Sequence, residues 1–244
     1  MFKKSKMNEN VFNDASKEAH YWAGLIAADG CLSVKKGKYK DYPLVIIYLT
    51  GEDGKHIQGL LDFLETDKKL FTQKVTSDWA KPNQINVGTS FWSEHIWNWL
   101  QGHGITERKS LTLKVSSLLA DSPDFWRGVV DGDGTVNFAK NRGINYPHIG
   151  LGGSQDMMIQ FQSFVSKHLG VTPKVGTCRS IYRVAMNGQP AQDLTRFLYD
   201  RPGPALPRKK AAAMACIDWK GKHSSRQRKT LLTPDLNSLS ELDS

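Results

Sequence analysis

Two aspartates, Asp29 and Asp133, each stand directly before a glycine at the end of one short pattern, and two lysines, Lys109 and Lys209, each follow an arginine further along. The aspartates are 104 residues apart and the lysines 100, so one set of reactive groups is spelled twice at a domain-sized interval. Two carboxylates brought side by side cannot both stay ionised without a cation between them. Oxygen ligands in an open setting suit Mg2+, which keeps waters and takes phosphate oxygens as further ligands. Such sites hydrolyse phosphodiesters, and a nearby ammonium, here Lys109 or Lys209, steadies the developing phosphorane charge or polarises the attacking water. A doubled set matches a substrate with two strands.

The elements that must position these groups repeat as well. Tyr21-Trp22-Ala23-Gly24-Leu25-Ile26-Ala27-Ala28-Asp29-Gly30 is answered by Phe125-Trp126-Arg127-Gly128-Val129-Val130-Asp131-Gly132-Asp133-Gly134. Apolar residues on nearly every side predict a helix buried between two layers, with a glycine C-cap at Gly30. Gly24 and Ala28 share one helical face, as do Gly128 and Gly132, and small residues at that spacing let two backbones approach closely. Packed against each other in pseudo-two-fold symmetry, the two helices bring Asp29 and Asp133 together. An acid in the last turn of both is otherwise puzzling, because a helix C-terminus disfavours negative charge unless a cation is near.

Around these helices the pattern predicts two similar halves of an α+β chain, residues 13–120 and 121–219, flanked by a flexible basic arm (1–12) and a disordered polar tail (220–244). In the first half, strands at Leu32–Val34 and Tyr42–Thr50 precede a helix over Gly54–Glu65. A hairpin across Lys81-Pro82-Asn83 and helices over Phe91–Gln101 and Leu111–Leu119 follow. The second half repeats that order from Pro123 to about Trp219.

With 244 residues, 39% of them hydrophobic, the chain can bury a core without staples. Cys31, Cys178 and Cys216 are far apart and form no CxxC pair, which argues against a disulfide framework or zinc site. No apolar run reaches the ~18 residues of a membrane span. A soluble, intracellular protein is expected, its compartment open. The net charge of +9 calls for a polyanionic partner. Strand alternation puts Ser33, Lys35, Asn137, Arg183 and Asn187 on open faces, with Gln84 and Asn86 likewise opposed to Ile85 and Val87. With Lys74 and Arg179 these are the candidate DNA contacts, since Arg, Lys, Asn and Gln pair with base edges in the major groove.

The sequence resembles the LAGLIDADG homing endonucleases of the monomeric, two-motif type. The likeness rests on Trp22 to Gly30, on Arg127 to Gly134, and on the stretch Gly104-Ile105-x-x-Arg108-Lys109-Ser110, and spans roughly residues 15–219. It implies two pseudo-symmetric αββαββα halves, each with a curved antiparallel sheet, packed through two central LAGLIDADG helices. It also implies a long asymmetric target in double-stranded DNA, cut on both strands across the minor groove with a divalent metal, as in intron homing. Asp29 and Asp133 are then the metal ligands, one per half; Mg2+ supports cleavage, while the looser coordination of Ca2+ supports binding but poor cleavage. Two departures stand out. Ala27 occupies a position where the motif usually has an acid, filled by Asp131 in the second half. The polar residue after each second strand falls on Gly51 or Glu52 in one half and on Ser154 or Gln155 in the other. The competing reading is a non-cleaving member of the same fold, an RNA-splicing maturase or a DNA-binding regulator, whose mark would be loss of a catalytic acid; both acids are present. A calcium loop at Asp131-Gly132-Asp133-Gly134 fails because Arg142 stands where its glutamate belongs.

Overall fold

The computed structural model describes residues 5–13, 16–38, 41–75 and 84–221. Ser16 caps the first helix, α1 (Lys17–Asp29), by accepting from the Ala19 N–H. Strand β1 (Gly30–Lys35) starts with no connecting residue. There follow β2 (Tyr42–Thr50), a 3-10 turn (Gly51–His56), α2 (Ile57–Phe63), β3 (Phe71–Lys74), β4 (Ile85–Trp92), α3 (Glu94–Gly102) and the short α4 (Ser117–Ala120). The second half runs α5 (Pro123–Asp133), β5 (Thr135–Asn141), β6 (Ile144–Gly153), α6 (Gln155–Leu169), β7 (Val175–Cys178), β8 (Ile181–Asn187), α7 (Gln189–Tyr199) and α8 (Pro207–Ile217). Each half builds a four-stranded antiparallel sheet, ordered β1-β2-β4-β3 and β5-β6-β8-β7. The identical order is the expected repeat. One core runs through both halves, with Trp22, Leu25, Val45 and Ile47 on one side and Trp126, Val129, Ile149 and Leu151 on the other.

The central contact is α1 against α5. A Cβ on Gly24 would lie 2.1 Å from the Phe125 carbonyl oxygen, and one on Gly128 would lie 2.2 Å from that of Tyr21. Neither position tolerates a side chain. One on Gly132 would lie 2.5 Å from Ala28 Cβ, so all four small residues of the expected seam line it.

Three local expectations change. Gly30 is the C-cap of α1 as expected, but it (φ −83°, ψ 162°), like Gly134 after α5 (φ −85°, ψ 174°), is extended and not left-handed, so each helix passes straight into a strand. Glycine is required there because a Cβ would crowd the Ile26 or Val130 carbonyl, at 2.6 and 2.7 Å. The helix expected over Leu111–Leu119 is a 3-10 turn at Lys109–Leu111 followed by non-helical chain and then α4. Val115 gives its N–H (3.0 Å) and C=O (2.6 Å) to the Gln160 side chain on α6, diverting the groups a helix would use. The basic arm is anchored from Lys6 on: Phe12 is fully buried between Phe63 and Trp99, and the Lys6 carbonyl accepts from Thr66 Oγ1. The Lys81-Pro82-Asn83 turn and residues 222–244 of the tail lie outside the described residues. Cys31 and Cys178 are exposed and Cys216 buried, all three as free thiols. Among the described residues no helix is long and apolar enough to cross a membrane.

Gly128→Ala should destabilise the protein by about 3 kcal/mol or more, the cost of forcing a methyl between packed backbones. Gly102→Ala, where the space is open, should stabilise it by roughly 0.5 kcal/mol. Denaturant melts of the two variants check the contrast.

Candidate active site

Because α1 and α5 touch along their length and run directly into β1 and β5, their C-terminal acids emerge together between the two sheets. Asp29 Oδ2 would be only 2.7 Å from a Cβ on Gly132, the residue before Asp133. Both carboxylates face solvent at the open side of this junction. Burial of its surroundings, and then the charge of Asp133, push the Asp29 carboxyl up to about 6. Burial also raises Asp133, against the pull of Lys109 and Lys209. Two acids facing water with raised affinity for a proton form a site short of positive charge.

The lysines lie beneath them. Lys109 (8% exposed) donates to the Gly30 carbonyl, and Lys209 (6%) donates to the Gly134 carbonyl and, at 3.1 Å, to that of Val130. Each ammonium thus sits at the C-terminal end of its own half's helix, where the dipole favours a cation. That position resolves the puzzle of the terminal acids. Burial lowers both lysines from their ordinary value, with the Arg208 charge adding to the effect at Lys209; Cys31, Asp133 and Asp29 oppose it at Lys109, and Asp131, Asp29 and Asp53 oppose it at Lys209. The arginines diverge: Arg108 adopts a left-handed backbone (φ 53°), whereas Arg208 Nε donates to Asp53 Oδ2 at 2.5 Å across the halves.

Sequence reasoning left Asp131 as a bare departure from symmetry, and the structure gives it a task. Fully buried, it accepts from Tyr199 OH (2.6 Å), Tyr21 OH (2.8 Å) and the N–H of Leu206 (2.6 Å), the N-cap residue of α8, three positions before Lys209. Tyr21 OH also meets His56 Nε2 at 2.7 Å, and since its proton goes to Asp131, the imidazole must donate from Nε2. Burial holds His56 neutral, lowering it to about 4. Arg127 fixes the same segment by donating to the carbonyls of Leu198 (3.0 Å) and Pro204 (2.9 Å) while pairing with Asp124 at 2.7 Å. The only sequence signal for this cluster was that Asp131 and Arg127 stand where the first motif has Ala27 and Ala23.

Of the candidate DNA contacts, Ser33 and Lys35 on β1 share the open face of the first sheet with Asn86 on β4, opposite Thr50 and Gln73. Gln84 precedes β4, and Lys74 takes the other face of β3. In the second sheet Asn137, Arg183 and Asn187 share the open face, and Arg179 sits in the β7–β8 turn with φ 55°. After the second strands, Glu52 pairs with Lys55, and Ser154 is a buried cap for α6. Among the described residues no group of three or more His, Cys, Asp or Glu converges. The donors available to a cation are therefore the two carboxylates, with water or substrate oxygens, a hard-oxygen set that fits Mg2+.

Two sheets meeting at paired helices with an acid at each end define the two-domain LAGLIDADG homing endonuclease fold. The solved structures that share it include the LAGLIDADG homing endonuclease I-LtrWI bound to target DNA, at 11% identity over 86% of this chain and 91% of that one, with a TM-score of 0.56. They also include I-DmoI in complex with DNA and Ca (18% identity, 82% of this chain, 98% of that one, TM-score 0.52) and the meganuclease I-AabMI bound to uncleaved DNA (12%, 81%, 88%, 0.52). Comparison with family models and with curated proteins gives no match.

Raised above its unfolded value of 3.8, the folded Asp29 carboxyl contributes stability that is complete below pH 3.8 and lost as pH rises through about 6. Asp29→Asn should therefore stabilise the metal-free protein at pH 8, by about 1 kcal/mol after allowing for solvent screening, and do little at pH 4. Thermal melts at the two pH values with a chelator present measure the difference.

Proposed function

We propose that this chain is a site-specific DNA endonuclease, acting as a monomer and making a divalent-metal-dependent double-strand break in a long asymmetric target by phosphodiester hydrolysis. The observation that carries the proposal is the pairing of Asp29 with Asp133 over two buried lysines at the meeting point of two sheets, in a chain of net charge +9. Solved proteins of this fold are described with target DNA and with Ca, which supports both halves of the reading.

Asp29 and Asp133 would hold the metal, which supplies charge neutralisation at the scissile phosphate and lowers the pKa of a bound water. The chain's own residues do the rest. Each carboxylate comes from a different half, so each strand of a duplex lying across the junction meets one of them. Lys109 and Lys209 keep a positive charge at either end of the pair, where it opposes the negative charge that grows in the transition state. Their fixed hydrogen bonds to the carbonyls of Gly30 and Gly134 keep that charge in place without reorganisation. Ser33, Lys35, Asn86, Asn137, Arg183 and Asn187 would fix the duplex in register through the open sheet faces.

A duplex selected from a randomised library should be cut on both strands in Mg2+, and bound but poorly cut in Ca2+. Asp29→Asn or Asp133→Asn should lower the rate at least about 100-fold, as loss of a group stabilising the transition state does, while leaving binding in Ca2+ within a few fold. Binding without cutting by the parent protein in Mg2+ or Mn2+ would sink the nuclease assignment in favour of the non-cleaving reading. Affinity should also fall steeply with salt, losing at least about tenfold between 50 and 200 mM, measured by fluorescence anisotropy.

A further inference from the structure

The open faces of the two sheets differ in chemistry at equivalent places. Along β2 that face carries Tyr42, Leu44, Ile46 and Tyr48, and Ile46 stands in register with Cys31, two residues after Asp29. Trp92 and Phe71 extend the apolar surface from β4 and β3, packing edge to face on Tyr42 (5.2 Å) and Tyr48 (5.3 Å), so aromatic pairs flank Leu44 and Ile46 along the strand. Apolar residues on both faces are the signature of a strand covered on both sides. In β2 only Val45, Ile47 and Leu49 on the inner face are buried, while Leu44, Ile46 and Tyr48 are half-buried.

The second sheet reverses this. Gly150 stands in register with Thr135, two residues after Asp133, the place Ile46 holds in the first half. Ala185 leaves the neighbouring floor low, while Ile181 lies over Gly152 and Tyr146 sits at the far end of the strand, so the apolar groups of this face stand away from Gly150. Polar ends lie over it: a Cβ on Gly150 would lie 3.2 Å from His148 Nε2 and 3.4 Å from Arg183 Nη2, and His148 Nδ1 is 2.8 Å from Asn187 Oδ1.

We infer that the two halves read DNA by different chemistry, the first sheet by apolar contact of Leu44, Ile46 and the flanking aromatics with thymine methyl groups, the second by hydrogen bonds from Arg183, His148 and Asn187 to base edges. The inference rests on the DNA-endonuclease reading above and adds which half of the target is T-rich. The thymine C5-methyl is the apolar feature of the major groove, whereas Arg and Asn pair with guanine and adenine edges. DNA is the fitting occupant of the apolar face because the face is continuous, through Ser33 and Cys31, with the carboxylate pair, and because Lys35, Gln73 and Asn86 share it. Ile46 is the apolar residue of this face in register with Cys31, two residues from Asp29, which places it beside the acids.

The test uses duplexes selected from a randomised library. Cys31 and Cys178 are exposed, one on the open face of each sheet, so photo-crosslinking from Cys178→Ser and from Cys31→Ser variants orients the bound site. Replacing thymine by deoxyuridine should then weaken binding about fourfold per contacted methyl in the first-sheet half-site and less than about twofold in the other half. Ile46→Asn should lose the methyl dependence at one position. Because the deoxyuridine series changes only the DNA, it holds even if that variant folds poorly. Sequence-specific binding with equal or absent methyl effects in the two halves overturns this inference alone. Failure to select any duplex, with self-association through the apolar face, overturns it together with the endonuclease reading.

Discussion

At Gly24 and Gly128 the backbones of α1 and α5 touch, since a methyl group on either would overlap a carbonyl oxygen of the other helix. Most residues of both helices are buried, and the contact is made by backbone atoms, so its geometry is fixed by atoms that cannot rotate away. Each helix also continues without a linker into the first strand of its own sheet. The separation of the sheets and the place of the two acids therefore follow from one backbone contact. Few freedoms remain between packing and chemistry.

The same contact creates an electrostatic problem. Two helix C-termini, each with partial negative character, deliver two carboxylates to one spot. Lys109 and Lys209 offset part of this from below, and their burial is tolerable because each ammonium donates to a backbone carbonyl at the helix end. Burial, and then the charge of Asp133, still keep Asp29 near an apparent pKa of 6. A folded state that holds this pair without a cation is less stable than it would be with one, a trade of stability for a charged site commonly seen in enzymes.

Much of this was legible in the sequence because the fold is written twice. The glycine spacing identified the seam, the terminal acids and the lysines named groups that the structure brings to one place, and the period-2 pattern gave the sheets. What escaped was set by partners distant in the chain. Leu111–Leu119 has a helical composition, yet its backbone groups are taken by Gln160 and Ser154 from the second half. The basic arm looked free because nothing local shows that Phe12 fills a gap between Phe63 and Trp99. Asp131 could be noticed but not interpreted, since its partners are Tyr21, Tyr199 and Leu206. Lys74 was assigned by charge, and only strand register shows that Gln73 shares the face of Asn86.

Asp131 also bears on how freely the two halves can be exchanged. Its carboxylate belongs to the second half, yet one of its three donors, Tyr21, belongs to the first, and His56 of the first half stands behind that hydroxyl. A chimera that joins this second half to a foreign partner must bring a hydroxyl to the place of Tyr21. Otherwise a buried acid loses a donor beside the segment that carries Lys209. The halves look modular in sequence, but at this one hydrogen bond they are a matched pair, and an exchange of halves would be screened there for stability.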